Sequence, residues 1–350
     1  MNLVASESRK DQLHDYHLSH LERLSGDRGN FEHALGLDRR EEHGYCTDDN
    51  ARLLVTMIRE PKGPIARRLT RLALGFVVSS QTPDGQVRNR MDATGDWTDT
   101  ASTEDCWGRA VWALGATAAS HDDPWIRRRA RLAFNHSVSQ RSHWPRAMAF
   151  AALGAADVLT VHPDHVTARS LLVDTLDCIP QNKNDSHWPW PEPRLRYANA
   201  ALAEAVIAAG SALALPEQVE RGLTMLRWLL DRETAGEVLS VVGAAGSGPH
   251  DSLPQFDQQP IEVAALADAC WRAATVTGDR TWLRGVTAAG SWFQGRNDVG
   301  LVMFDDVSGG GFDGLHRDRV NLNQGAESTL AYIATAQRVV AMAHTEGLAS

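Results

Sequence analysis

Along most of the chain, apolar side chains recur every three or four positions over stretches of ten residues or more. That is the spacing of one helix face, not of a strand. It predicts helices over about 48–60, 64–80, 102–119, 124–139, 144–158, 165–177, 195–212, 216–231, 259–277, 280–294 and 325–342, with a less distinct first helix or arm within 1–25. The helices are of two kinds. Segments 147–155 (AMAFAALGA) and 198–212 (ANAALAEAVIAAGSA) are rich in alanine and nearly uncharged, as suits helices covered on most sides. Segments 124–139 and 216–231 carry Arg, Glu and Gln between apolar stripes, so one face meets water. Alternation of the two kinds predicts an all-α fold, an (α/α)6 barrel with an inner and an outer ring. Two stretches, 237–245 and 298–306, have apolar cores VLSVV and LVMFD and suit small hairpins.

Gly and Pro are scattered between the helical segments and form no linker, so residues 1–350 read as a single domain. The formal net charge is -9, from 44 acidic and 35 basic residues, and no basic block is present. Nucleic acid and anionic membrane are therefore not expected partners. The first twenty residues hold no apolar run after a basic start, which points to the cytoplasm. Cys46, Cys106, Cys178 and Cys270 stand far apart, as free thiols of a reduced compartment would. No HExxH, CxxC, P-loop or GxSxG pattern occurs, and neither metal nor cofactor is expected.

The informative residues precede the expected inner helices. In order the chain reads GYCTDDNARLL, DTASTEDCWGRAVWALG, SHWPRAMAFAALG, HWPWPEPRLRYANAALAEA, PQFDQQPIEVAALADACW and GGGFDGLHRDRVNLNQGAESTLAYIATA. Each is a cluster of acids, amides, aromatics, His or Arg leading into a buried helix. Any one of them is explained by helix capping and first-turn acids. Six at the same topological position are not, because roughly parallel inner helices would bring all six to one end of the barrel. Indole faces suit the C–H face of a pyranose, and carboxylates and amides suit its hydroxyls. The expected substrate contacts are Asp48, Trp107, Trp144, Arg146, His187, Trp188, Trp190, Glu192, Tyr197, Asn199, Gln258, Gln259, Glu262, His316, Arg317 and Gln324.

The stretches CTDDNARLL, STEDCWGRAVWALG, WPEPRLRYANAALAEA and GFDGLHRDRVNLNQGAESTLAY resemble the six-hairpin glycosidase-type superfamily. More narrowly, they are similar to helical-barrel proteins found alone, attached to glycosyltransferases, or encoded near mannoside-processing enzymes. The resemblance implies an (α/α)6 fold and glycan processing. It also implies a functional link to a glycosyltransferase and a mannose-containing substrate.

Glycoside hydrolysis requires one protonated carboxylic acid and one carboxylate. The expected catalytic residues are Asp49, Glu104, Asp105, Asp313 and Glu327. Neighbouring helical residues point about 100° apart, so Asp48 and Asp49 cannot share one direction. Asp48 has Arg52 four residues on, which leaves Asp49 for the cavity, and Asp105 has Arg109 at the same spacing. Gly309, Gly310 and Gly311 would allow a lid beside Asp313 and His316. The leading expectation is a hydrolase acting on an oligosaccharide or glycoconjugate. Three alternatives stand beside it. A glycan-binding partner of a glycosyltransferase would lack a facing acid pair. An isomerase or epimerase would use convergent histidines. A polysaccharide lyase would use His187, Tyr197 and Arg317.

Overall fold

Among the described residues, five helices begin on proline, whose fixed φ suits the first turn and whose missing N–H would find no partner there. The computed structural model describes residues 16–60, 63–181 and 187–347. Its helices are α1 (Ser19–Leu24), α2 (Thr47–Ile58), α3 (Pro64–Ser79), α4 (Asp105–Ser120), α5 (Pro124–Ser137), α6 (Pro145–Val161), α7 (Val166–Cys178), α8 (Ala200–Ala212), α9 (Pro216–Arg232), α10 (Pro260–Thr277), α11 (Leu283–Phe293) and α12 (Ala326–Gly347). Residues 1–15 of the expected first arm lie outside the described residues.

The even-numbered helices form the inner ring. Each packs on the next, and α12 closes the ring against α2. The outer helices α3, α5, α7, α9 and α11 each fold back on the inner helix before them. The sixth hairpin is made by α12 with α1. Composition explains this division. Nearly every residue of α6 and α8 is buried, whereas α9 buries only the stripe Gly222, Leu223, Met225, Leu226 and Leu229. Small residues let the inner helices approach closely. A side chain at Gly115 would strike the carbonyl of Gly154, and one at Gly154 would strike that of Val111, so α4 and α6 meet almost backbone to backbone.

Among the described residues, the loops carry five two-residue antiparallel ladders. They pair β1 (Ala34–Leu35) with β2 (Asp38–Arg39), β3 (Tyr45–Cys46) with β4 (Arg90–Met91), and β5 (Thr234–Ala235) with β6 (Val238–Leu239). The others pair β7 (Phe304–Asp305) with β8 (Gly310–Gly311), and β9 (Gly314–Leu315) with β10 (Val320–Asn321). β5–β6 and β7–β8 overlap the two stretches where hairpins were expected.

Two helices start later than their periodicity suggests. Ser102 is paired with Val87, which holds the chain extended until α4 begins at Asp105. Leu195 is paired with Ser247 and Ala198 has φ +46, so α8 begins at Ala200 instead of 195. Among the described residues, no helix is long and apolar enough to cross a membrane.

Candidate active site at the mouth of the inner ring

The first turns of all six inner helices lie at one end of the ring, and each brings a polar side chain to it. At the start of α2, Cys46 occupies the cap, its sulfur accepting from the Asp49 N–H at 3.4 Å. Asp48 makes its ion pair with Arg109 of α4, at 3.3 Å. Arg52 takes Asp49 at 2.5 Å on one side and Glu327 of α12 at 2.6 Å on the other. The sequence expectation was different: Asp48 with Arg52, and Asp105 with Arg109. The partners differ because the inner helices are close enough for an arginine to reach across the seam. Burial pushes the Asp49 carboxyl up to about 6, against the opposing pull of Arg52.

A second group joins α4, α6, α8 and α10. The Tyr197 hydroxyl donates to Asp105 at 2.7 Å, and burial together with that carboxylate pushes the phenol pKa up. Arg146 of α6 lies under the Tyr197 ring, 4.8 Å from its centroid. It also binds Glu192 at 2.6 Å, the Tyr197 carbonyl at 2.5 Å and Asn199 Oδ1 at 3.1 Å. The buried Glu262 carboxylate accepts from the N–H groups of Ala198 and Asn199 and from the Asn199 amide. It thereby supplies the acceptors that a preceding helical turn would otherwise have provided to this chain reversal. Burial raises its carboxyl to about 7, although these donors act in the opposite direction.

The structure thus brings Asp48, Asp49, Asp105, Arg146, Glu192, Tyr197, Asn199, Glu262 and Glu327 to the inner mouth. Glu104 precedes α4 and is exposed, and Trp144 precedes α6 with 56% of its surface exposed. Gln259 precedes α10 and faces a rim hollow shared with Tyr197 and Glu262. His187 is exposed. Asp313 accepts from the Gly325 N–H at 2.8 Å, and its pKa is raised by burial. Arg317 lies over Phe256 at 5.3 Å.

Other expected contacts are core residues. Trp107 is fully buried and donates to the Ser137 carbonyl at 3.1 Å, so it offers no ring face to a sugar. Trp188 and Trp190 pack on Trp228 with centroids 5.0 and 5.7 Å away. Gln258 is fully buried between Asp298 and Trp292. Gln324 is buried against Ser308 and Asp305. Their proximity in sequence to polar clusters concealed their role: short loops between helices also need packed anchors.

Sequence reading passed over Asp257. It sits 3.6 Å from His316 Nδ1, because Gln258 and Leu315 pair and bring their neighbours together. Both side chains are about one-third exposed at the rim. Its signal was adjacency to Gln258 in the fifth cluster. Glu32, Cys46 and Asp49 hold three ligand-type atoms within 4.8 Å of one another. Arg90 and Arg52 already engage the two carboxylates, and burial pushes the Cys46 thiol well up. The trio fits a hydrogen-bonded helix start better than a metal centre, which needs the thiolate.

Below the mouth, a narrow space runs along the ring axis. Arg52 and Arg109 border its top. Trp112 and Phe150, nearly parallel at 6.1 Å, form part of its wall. Its floor contains Arg59 and Asp268, 2.9 Å apart. Burial would raise the Asp268 carboxyl, but Arg338 and Arg59 outweigh it and hold the group at about 2.

No family model matches the sequence, and no curated protein matches it. Solved structures do match in three dimensions. A sugar epimerase from a ruminal bacterium superposes with a TM-score of 0.68 at 12% identity, covering 95% of this chain and 98% of its own. A D-mannose isomerase gives 0.67 at 11% identity, covering 98% of each chain. A family 76 α-mannanase from Bacteroides thetaiotaomicron gives 0.64 at 11% identity, covering 99% of this chain and 97% of its own. With the closed inner ring and the paired outer helices, these matches show that the chain adopts a six-hairpin (α/α) toroid fold.

Proposed function

We propose that this protein is a carbohydrate-active enzyme that isomerises or epimerises a sugar unit held at the mouth of the ring. The observation that carries the reading is the pair of acid–base couples at that end, Tyr197 with Asp105 and His316 with Asp257. Moving a proton next to a sugar carbonyl calls for one group that takes it and another that returns it. A phenol bonded to a carboxylate and an imidazole beside a carboxylate are groups of that kind. Arg52, Arg109 and Arg146 hold their carboxylates in fixed positions around the opening, where those oxygens can accept hydroxyl hydrogens. The similarity in fold to a sugar epimerase and a D-mannose isomerase, over almost the full length of each, supports the same reading.

Hydrolysis, the leading expectation from sequence, is the competing reading, favoured by the carboxylates Asp105 and Glu327 on two inner helices and by the fold likeness to the α-mannanase. One experiment separates them. The protein is incubated in D2O with free glucose, mannose, fructose, cellobiose and mannobiose, and separately with mannan oligosaccharides. Appearance of an epimer or ketose carrying solvent deuterium at C1 or C2 supports the proposal. Release of a shorter saccharide without such exchange overturns it in favour of hydrolysis.

A further inference from the structure

The wall of the axial space is unlike a sugar site. Between Arg52 and Arg109 at the top and the polar floor at Arg59, Glu204 and Asp268, it is formed by Val55, Thr56, Trp112, Phe150, Leu153, Ile261 and Leu330, with Ala198 and small alanines of α8, α10 and α12 filling the remainder. Trp112, Ile261, Ala265 and Ala334 keep part of their surface uncovered there. A pyranose carries a hydroxyl on most of its ring carbons, and each buried without a partner is costly. The polar groups of this layer are the Thr56 hydroxyl, which already donates to the Arg52 carbonyl, and the Trp112 indole N–H, too few for a sugar's hydroxyls. A sugar is therefore better held at the mouth, where carboxylates, guanidinium groups and Tyr197 surround it, than along the axis, where most of its hydroxyls would lose their partners. An apolar group can descend the axis.

We infer that the substrate is a sugar bearing a short apolar substituent, an aryl or alkyl ether or ester, and that this substituent occupies the axial well while the sugar stays at the mouth. The inference rests on the reading that the mouth takes a sugar. The acid–base couples lie at the rim, so the C1–C2 end of the sugar faces outward. The substituent then leaves from the far side of the ring, through the oxygen on C4 or C6. The charged floor limits its length to about one aromatic ring or a few methylenes.

The test compares equilibrium binding of 6-O-benzyl-mannose, 6-O-methyl-mannose and benzyl alcohol, with the glucose pair alongside, by calorimetry on the full chain. The benzyl sugar is expected to bind about tenfold or more tightly than the methyl sugar, from the apolar area removed from water. Its heat-capacity change should also be more negative. Ala265→Phe, which fills the well, should abolish the difference while leaving 6-O-methyl-mannose affinity unchanged. Ala334→Phe does the same from α12 and guards against one variant failing to fold. Equal affinity of the two sugars overturns this inference and leaves the sugar reading intact. Benzyl alcohol binding as tightly as the benzyl sugar overturns both, because the mouth would then contribute nothing. A benzyl preference that persists in both filled variants also overturns the inference, since the group would lie elsewhere.

Discussion

The hydroxyl of Tyr197 donates to the carboxylate of Asp105 at 2.7 Å, so the loop leading into α8 is fastened to the first residue of α4, across the helix that lies between them in the ring. Tyr197 remains 43% exposed, and nothing in its environment suggests that the bond is needed for folding. Under the proposed function the pair handles the proton. Tyr197→Phe and Asp105→Asn should each lower kcat for isomerisation by about 10²–10⁴-fold, with little change in the thermal midpoint. Wild-type turnover in both variants would remove the pair from the chemistry.

Arg52 is the shared counter-ion of Asp49 and Glu327 and joins α2 to α12 at the seam where the ring closes. Replacing it leaves the buried Asp49 carboxylate without a counter-ion, held by the Cys46 S–H. Arg52→Met is expected to cost about 3–5 kcal/mol in urea unfolding at pH 8. Arg52→Lys should recover only part of this, because an ammonium lacks the planar fork that reaches two carboxylates at once. Full recovery by lysine would show that the geometry of the fork is unimportant.

Glu262 gives a pH dependence of definite sign. Its folded value of about 7 lies above the ordinary 4.5, so ionisation opposes folding. The stability that it contributes is complete below pH 4.5 and is lost as pH rises through about 7, a loss of roughly 3 kcal/mol. Asp49, at about 6, acts in the same direction over a lower range. Unfolding free energy measured from pH 5 to pH 8 should therefore fall for the wild type and fall less for Glu262→Gln. Identical slopes would assign the loss to other groups.

The close contact of α4 and α6 gives a test of the ring itself. Gly115→Ala places a methyl group against the Gly154 carbonyl and should cost about 1–3 kcal/mol. Because the displaced helices also carry Asp105 and Arg146, the affinity for sugar should weaken along with the stability. Denaturation and binding measured on the same sample check both.

Helix identity was legible because burial on one face imprints a period near 3.6 on the sequence, and the alanine-rich inner helices declared themselves by lacking charge. The gathering of polar side chains at one end of the ring was legible too, since polar clusters recurred before alternate helices. The partners within the site were not. The i, i+4 rule assigned Asp48 to Arg52 and Asp105 to Arg109, but it counts neighbours on one helix only, whereas here arginines span the seams. Trp107 and Trp190 stood among polar residues and still point into the core, because a loop's composition does not say which of its side chains faces inward. The late start of α8 depends on Glu262, more than sixty positions downstream, which no local pattern could reveal.

The sixth hairpin has a consequence for how the molecule is made. Its two members come from opposite ends of the described chain, and the seam it completes includes a bond from Gln337 to the Thr56 carbonyl, 281 positions apart. Closure of that seam must wait until α12 has left the ribosome. Until then five hairpins form an open arc whose alanine-lined inner face has no partner. A nascent chain stalled before α12 should therefore be the most aggregation-prone species in the life of this protein.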